Sequence, residues 1–319
     1  MTGNTKNLQF ETPIIDLENR IETLKQKGFS VESKEIKKLK STLGDLEEKV
    51  YGNLTPWEEV QLARHPDRPT MSQYLDLMFD DFHQLHGDRF YGDDPAIVGG
   101  VATMGERRLM VIGHEKGRNT KDRLRHNFGM ANPEGFRKSL RLMKMAEKFS
   151  LPILSFVDTP GAYPGVGAEE RGQPVAIASN LKEVFKIKTP IVVVIIGEGG
   201  SGGALALGIG DRVIMMKHSI YSVISPEGCA AILWKDKGKA PDAASSLRLT
   251  SDDCLEFNVA DVVIDEIHGA AHRDPEGNSL KLAKCIEDQF ESLLSISIDL
   301  LLERRIKKFT SIGEFSSDR

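Results

Sequence analysis

Cysteine is scarce: 319 residues contain only Cys229, Cys254 and Cys285. An odd number cannot pair completely, and no C-x-x-C spacing occurs. Neither a disulfide scaffold nor a zinc ribbon is therefore supported. Long apolar runs are missing too. The most apolar stretch, Ile191–Ile196, falls far short of the ~18 residues that span a bilayer. Met1–Glu11 has no apolar core behind a basic stretch, which argues against a secretory leader. Basic charge is in deficit, with 47 acidic residues against 42 basic and a net charge of −5. A surface that releases counterions from a phosphate backbone needs an excess of Lys and Arg, so general nucleic-acid binding is excluded. A reduced, cytoplasmic setting is the expectation.

What remains is an ordinary globular composition, 40% hydrophobic and 28% charged, of a length that suits one large domain or two modest ones. Glycine is in slight excess at 29 residues, and the excess is local. Four fall in Gly161–Gly172 and seven in Gly197–Gly210.

Residues 1–90 read as a helical extension. Thr12-Pro13 opens a first helix with Leu17, Ile21 and Leu24 on one face and a stop at Gly28. Ile36, Leu39, Leu43, Leu46 and Val50 form a heptad-like stripe ending near Gly52. The two segments predict a hairpin that packs on this chain or on a partner. Thr55-Pro56-Trp57-Glu58 is a capping box with proline at the first helical position. A further helix is expected to carry Leu75, Phe79, Phe82 and Leu85 and to end at Gly87.

Residues 91–319 read as an α/β domain. Ala96–Thr103 and Leu109–His114 form strands about a turn at Gly105. A helix follows Asn132-Pro133, with Phe136, Leu140, Met143 and Phe149 at helical spacing. Strands at Ile153–Val157, Ile191–Ile196, Arg212–Met216, Ile220–Ile224 and Val262–Ile264 alternate with helices at Gln173–Phe185, from Gly202, and from Pro226 to Trp234. Glu276–Leu294 and Ile298–Phe309 close the chain. Ile191–Ile196 shows no polar alternation, as befits a strand buried on both faces of a parallel sheet. Strand–helix alternation implies right-handed crossovers.

Two glycine-rich segments follow buried strands: Asp158–Glu169 (DTPGAYPGVGAE) and Gly197–Ala204 (GEGGSGGA). Ligands of open α/β sheets bind beyond the carboxyl ends of strands, and glycine lets backbone N–H groups approach them closely. A tight turn with close helix–strand packing is the plain structural alternative.

The second segment admits four readings. Gly197-x-Gly199-x-x-Gly202 matches a dinucleotide fingerprint, but Met215–Ser219 lacks the acid it needs. A phosphate-binding P-loop needs Lys after Gly202-Gly203, where Ala204 stands. Gly199-x-Ser201-x-Gly203 matches a nucleophile elbow, with Asp261, Asp265, His268 and His272 downstream as partners. The fourth uses backbone alone: adjacent N–H groups of Gly202 and Gly203 at a helix start form an oxyanion hole.

Other features are weaker. Gly117–His126 holds four Lys or Arg and one Asp; a solvated basic face is simpler than a phosphate site. Gly269 between His268 and His272 argues against a rigid ligand pair, and no metal site is read from the histidines. Glu169 and Glu170 fit the acidic first turn of a helix better than general bases.

The two glycine-rich segments, with Tyr221–Cys229 (YSVISPEGC), Asn127–Met130 (NFGM) and Leu62–Pro66 (LARHP), closely resemble the carboxyltransferase alpha subunits of bacterial-type acetyl-CoA carboxylase. The likeness runs from about Ile14 to the C-terminal helices. It implies a crotonase-like (ClpP/crotonase) α/β fold of ββα units wound into a spiral, with an N-terminal helical extension. It implies transfer of a carboxyl group from carboxybiotin, carried on the biotin carboxyl carrier protein and loaded by biotin carboxylase, to acetyl-CoA, giving malonyl-CoA for fatty-acid synthesis. A beta subunit is implied as partner, two alpha with two beta, which holds the acyl-CoA and carries the zinc ribbon. This chain then needs no metal of its own. The same likeness assigns the Gly202 and Gly203 N–H groups to the biotin ureido oxygen. Pro160, Gly161, Ala162, Tyr163, Gly165 and Gly167 would wall the biotin pocket. A bacterial cytosol or a plastid stroma suits such an enzyme. The alternative from another class is a serine hydrolase of the same architecture using Ser201.

Overall fold

The computed structural model describes residues 7–313. The outer ends, 1–6 and 314–319, lie outside the described residues, so the reading of Met1–Glu11 extends beyond them.

The N-terminal hairpin forms as expected, from helices Thr12–Gln26 and Lys34–Tyr51. Thr12 does not cap the first helix. A 3-10 turn, Gln9–Glu11, runs directly into it, so Thr12 is already helical and Glu11 precedes it. Ser33 caps the second helix by accepting the Ile36 N–H. The hairpin packs on its own chain through Ile14, Tyr51, Leu62 and Ala270. Thr55 and Glu58 form the reciprocal capping box of helix Pro56–Ala63.

The expected helix through Leu75, Phe79, Phe82 and Leu85 is half wrong. It spans Met71–Met78 and stops at Phe79, whose backbone is extended. Asp81–Gln84 is instead the edge strand β1, paired antiparallel with β2, Ile97–Met104. Apolar spacing alone cannot show that Asp81 meets Thr103, a contact made across the fold.

β2 turns at Gly105, whose φ is +57°, into β3, Arg107–His114. Then follow β4 (Ile153–Thr159), β5 (Ile191–Gly200), β6 (Arg212–Met216), β7 (Ile220–Ser222) and β8 (Val262–Ile264). The sheet order is β1-β2-β3-β4-β5-β6-β8, with β7 on the far end of β5. β1 to β3 are antiparallel, and the strand pairs from β3 onward are parallel, with one isolated antiparallel bridge from Ile220 to Thr250.

β5 is buried along its whole length and feeds both faces. Ile191, Val193 and Ile195 join Phe136, Leu142 and Met143 of helix Pro133–Lys148 and Ala176 of helix Gln173–Val184. Val192, Val194 and Ile196 join Met71 and Tyr74 on one side and Leu282, Ile286 and Phe290 of helix Pro275–Leu294 on the other. Phe149, expected on the core face, falls past its helix end and is 62% exposed. Arg305, on the last helix Ile298–Thr310, is fully buried. It grips Asp211 at 2.8 and 2.6 Å and caps the carbonyls of Val184, Ile187 and Thr189.

Candidate active site

β4 and β5 end side by side, and each end continues into a glycine-rich segment. Thr159 folds back on the first, its hydroxyl donating to the Gly161 carbonyl at 2.7 Å and accepting the Gly161 N–H at 3.1 Å. The second is strand rather than turn as far as Gly200, and helix Ser201–Leu205 starts there. The two segments touch through bare backbone. A methyl on Gly203 would lie 2.6 Å from the Ala162 nitrogen and 2.6 Å from the Gly161 carbonyl carbon. Gly200 N-caps the helix without any side-chain acceptor. The first N–H groups of that helix have no partner within it. Gly202 is half-buried and Gly203 buried.

The expected pocket residues divide. Pro160, Gly161 and Ala162 lie at this meeting point. Tyr163 is exposed, its N–H donating to the Ala131 carbonyl and its own carbonyl accepting from Gln173. Gly165 caps and Gly167 belongs to a short helix, Val166–Glu170, further along.

Beneath the glycine segments lies a chain of alternating charges. Glu227 pairs with Arg64 at 2.6 Å, and Arg64 pairs with Glu198 at 2.6 Å. Lys116 lies 3.6 Å from Glu198 and 2.6 Å from Asp158. Arg64, Lys116, Asp158 and Glu198, with Arg123, Phe128 and Pro160 among others, border a cavity of about 180 Å³. Burial pushes the Asp158 carboxyl above its ordinary range, against the pull of Lys116. Burial acts the same way on Glu198, but Lys116 and Arg64 together hold it below. Four of the sequence motifs thus converge here through Arg64, Asp158, Glu198 and Glu227, and Phe128 brings the fifth. Lys116 is a functional candidate that sequence reasoning missed. It sits one residue before the basic Gly117–His126 segment, and its partners are 42 and 82 positions away.

Two of the basic segment's four cations are engaged. Arg118 pairs with Asp76, and Arg123 donates to the carbonyls of Gly117 and Pro66. His114 was also missed. Its ring is fully buried against the Phe156 and Gly203 backbones, and burial, with Lys116 nearby, pushes its pKa down to about 3.

The nucleophile-elbow reading fails on geometry. Ser201 does hold a left-handed φ of 53° at the strand–helix junction. Three of its four intended partners have their side chains committed elsewhere. Asp261 pairs with Lys308 and accepts the Val213 N–H. Asp265 is engaged through its backbone, whose carbonyl accepts from Lys281. His268 pairs with Glu47 and His272 with Glu11, both on the N-terminal segment. Ser201 instead borders an apolar cavity of about 270 Å³ with Leu205, Tyr221 and Phe309.

Glu11, His65 and His272 do form a grouping of metal-ligating type, with donor atoms within 4.8 Å of one another. The Asp67 N–H donates to His65 Nδ1 at 3.2 Å, so in the neutral ring the proton sits on Nε2, facing Glu11. The grouping is a clasp on the Glu11 carboxylate, with His272 Nε2 at 3.1 Å and His65 Nε2 at 3.8 Å. It also includes the Tyr51 hydroxyl, which donates to Glu11 at 2.7 Å.

The fold is that of the crotonase-like α/β class, with the paired glycine segments at the ends of two parallel strands. Transcarboxylase 12S, solved with methylmalonyl-CoA, aligns with a TM-score of 0.53 and 17% identity over 66% of this chain and 41% of its own. Residues 7–313 match the family described as acetyl co-enzyme A carboxylase carboxyltransferase-like. The acetyl-coenzyme A carboxylase carboxyl transferase subunit alpha of Listeria welshimeri is 51% identical over 311 residues, covering 97% of this chain and 98% of its own. The subunit of the same name from Geobacter metallireducens is 52% identical over 311 residues, with the same coverage. The chain belongs to the family of acetyl-CoA carboxylase carboxyltransferase alpha subunits, and its reaction class is carboxyl transfer, not serine hydrolysis.

Proposed function

We propose that the chain supplies the biotin half of a split site in which a carboxyl group passes from carboxybiotin to acetyl-CoA, giving malonyl-CoA. The observation that carries this is the uncapped start of helix Ser201–Leu205, set backbone-to-backbone against Gly161 and Ala162. Biotin, carried on a carrier protein, supplies the transferable carboxyl and a ureido oxygen that gains negative charge as the carboxyl leaves. The Gly202 and Gly203 N–H groups face that charge as preorganised donors, and one such donor is worth ~2.7–4 kcal/mol in the transition state. Gly202 suits close approach, because even a methyl there would meet nothing nearer than the Ile177 side chain at 3.6 Å. Pro160, Gly161 and Ala162 wall the pocket nearest these donors. Tyr163, Gly165 and Gly167 form its outer arm. Ser201 acts neither as base nor as nucleophile.

The proposed partners are a beta subunit that holds the acyl-CoA and carries the zinc, in an alpha2beta2 assembly, with the biotin carboxyl carrier protein and biotin carboxylase. This chain needs no metal, and the setting is the bacterial cytoplasm. No helix among the described residues is long and apolar enough to cross a membrane. Residues 1–90 serve as a helical extension of the carboxyltransferase domain at 91–319, interlocked with it through β1.

The test is co-purification with the beta subunit, then malonyl-CoA decarboxylation with a free biotin derivative. Gly202→Pro removes one donor and should lower kcat about 100- to 1,000-fold. This chain alone should be inactive. Full activity of Gly202→Pro, or of the isolated chain, refutes the reading.

A further inference from the structure

The ladder between β4 and β5 breaks just before the glycine segments. Pairing runs regularly from Ile153↔Ile191 to Val157↔Ile195, then resumes at Thr159↔Gly199. Asp158 therefore stands opposite three residues, Ile196, Gly197 and Glu198. At the same point β5 changes neighbours. Its last pair with β6 is Ile195↔Met215, and its first with β7 is Glu198↔Ile220. Such a bulge leaves backbone groups without ladder partners, and buried ones are costly unless satisfied.

Charged side chains fill those places. The Glu198 N–H donates to Asp158 Oδ1 at 2.9 Å. The Ile196 carbonyl accepts from Arg68 Nε at 2.6 Å. Arg68 is itself fixed by both oxygens of Glu266, at 3.0 and 2.6 Å. Asp158 is fixed by Lys116. Gly197 is required because a methyl there would lie 2.6 Å from Asp158 Oδ1. Between Ile195 and Glu198 the course of β5 is thus set by side chains from β4 and from the segment after helix Pro56–Ala63, before pairing resumes with β7 at Glu198 and with β4 at Gly199. Four residues past Glu198 lies Gly202.

We infer that Asp158 is a positioning residue: by accepting the Glu198 N–H across the bulge, it sets where the Gly202 and Gly203 N–H groups point. Arg68 and Lys116 support it. The inference rests on the oxyanion-hole reading above. A donor displaced by about 1 Å can cost about 100-fold in rate without any loss of substrate affinity.

The test uses the alpha–beta complex. Asp158→Asn keeps an acceptor but not the charge, and kcat should fall about fivefold. Asp158→Ala leaves the Glu198 N–H without a partner, and kcat should fall about 100-fold. KM for malonyl-CoA should not move in either. Without substrate, amide hydrogen exchange across residues 196–205 should speed up about tenfold in Asp158→Ala, while 97–104 in β2 stays unchanged. In a Gly202→Pro background, Asp158→Asn should cost less than it does in the wild type, because one of the two donors it aims is already gone.

The inference is overturned if either folded variant keeps kcat within about twofold of wild type. It is overturned equally if the Asp158→Asn loss persists in full with Gly202→Pro, or if exchange rises alike in β2. Should Asp158→Ala not fold, Asp158→Asn decides. A slow Gly202→Pro enzyme with unaffected Asp158 variants sinks this inference alone, whereas a fully active Gly202→Pro enzyme sinks the oxyanion hole itself.

Discussion

Gly203→Ala is the sharpest probe of the contact between the glycine segments. The added methyl meets the Ala162 nitrogen and the Gly161 carbonyl carbon at 2.6 Å, and the Gly161 oxygen at 3.0 Å. All three are backbone atoms and cannot rotate aside. Comfortable separation is ~3.5–4.0 Å, so the segments must part by about 1 Å. Overpacking of this kind costs ~1–3 kcal/mol, and alanine in place of glycine in a helix returns up to about 1 kcal/mol. The net loss of ~0–2 kcal/mol leaves the chain folded. The rate should suffer more, because about 1 Å of donor displacement is worth about 100-fold. Gly202→Ala is the control. Its methyl meets only the Ile177 side chain, at 3.6 and 3.8 Å, and its N–H survives. It should keep kcat within about threefold. The assay is malonyl-CoA decarboxylation by the alpha–beta complex with a free biotin derivative, beside a thermal melt of each variant. Wild-type kcat in Gly203→Ala, or equal losses in both variants, refutes the reasoning.

Ser201→Ala should keep kcat within about threefold, and a fluorophosphonate probe should not label wild type at Ser201; labelling there would restore the hydrolase. Arg305→Leu strands the buried Asp211 carboxylate and should cost ~3–5 kcal/mol, lowering Tm by about 10 °C in a melt where Lys307→Ala serves as surface control. His114 supplies a pH dependence with a definite sign. Its folded pKa is about 3, below the ordinary 6.5, so between these values the unfolded chain holds a proton that the folded chain does not. Stability from this group is complete above about pH 6.5 and falls ~1.4 kcal/mol per pH unit on acidification toward pH 3. Denaturant titrations across that range should show a shallower slope in His114→Gln, and an unchanged slope would count against the assignment.

Much of the architecture was written locally. The Thr55–Glu58 capping box needs only four residues. Arg212–Met216, Pro226–Trp234 and Val262–Ile264 begin and end where apolar runs and turn residues say they should. The unbroken apolar run from Ile191 predicted a strand buried on both faces, and every residue of β5 is buried. The glycine clusters marked the neighbourhood of the two strand ends, although β5 runs on through the first glycines to Gly200. Local pattern misled where a distant partner prevailed. Phe82 looked helical by spacing, yet its segment pairs with Ala102 on β2.

The sequence by itself determined the strand–helix alternation, the family and the two glycine-rich segments, because periodicity, caps and backbone permissiveness are properties of neighbouring residues. Only the tertiary structure decided how those segments are held. Ion pairs act at 2.6 Å between Lys116 and Asp158 and between Arg64 and Glu198, residues scattered over more than 130 positions. The same long-range packing placed Gly203 against Gly161. It also carried His272 to Glu11, far from Ser201. A chain's charges and glycines are visible in one dimension, whereas the pairing of a charge or the crowding of a missing Cβ exists only once the backbone has closed around it.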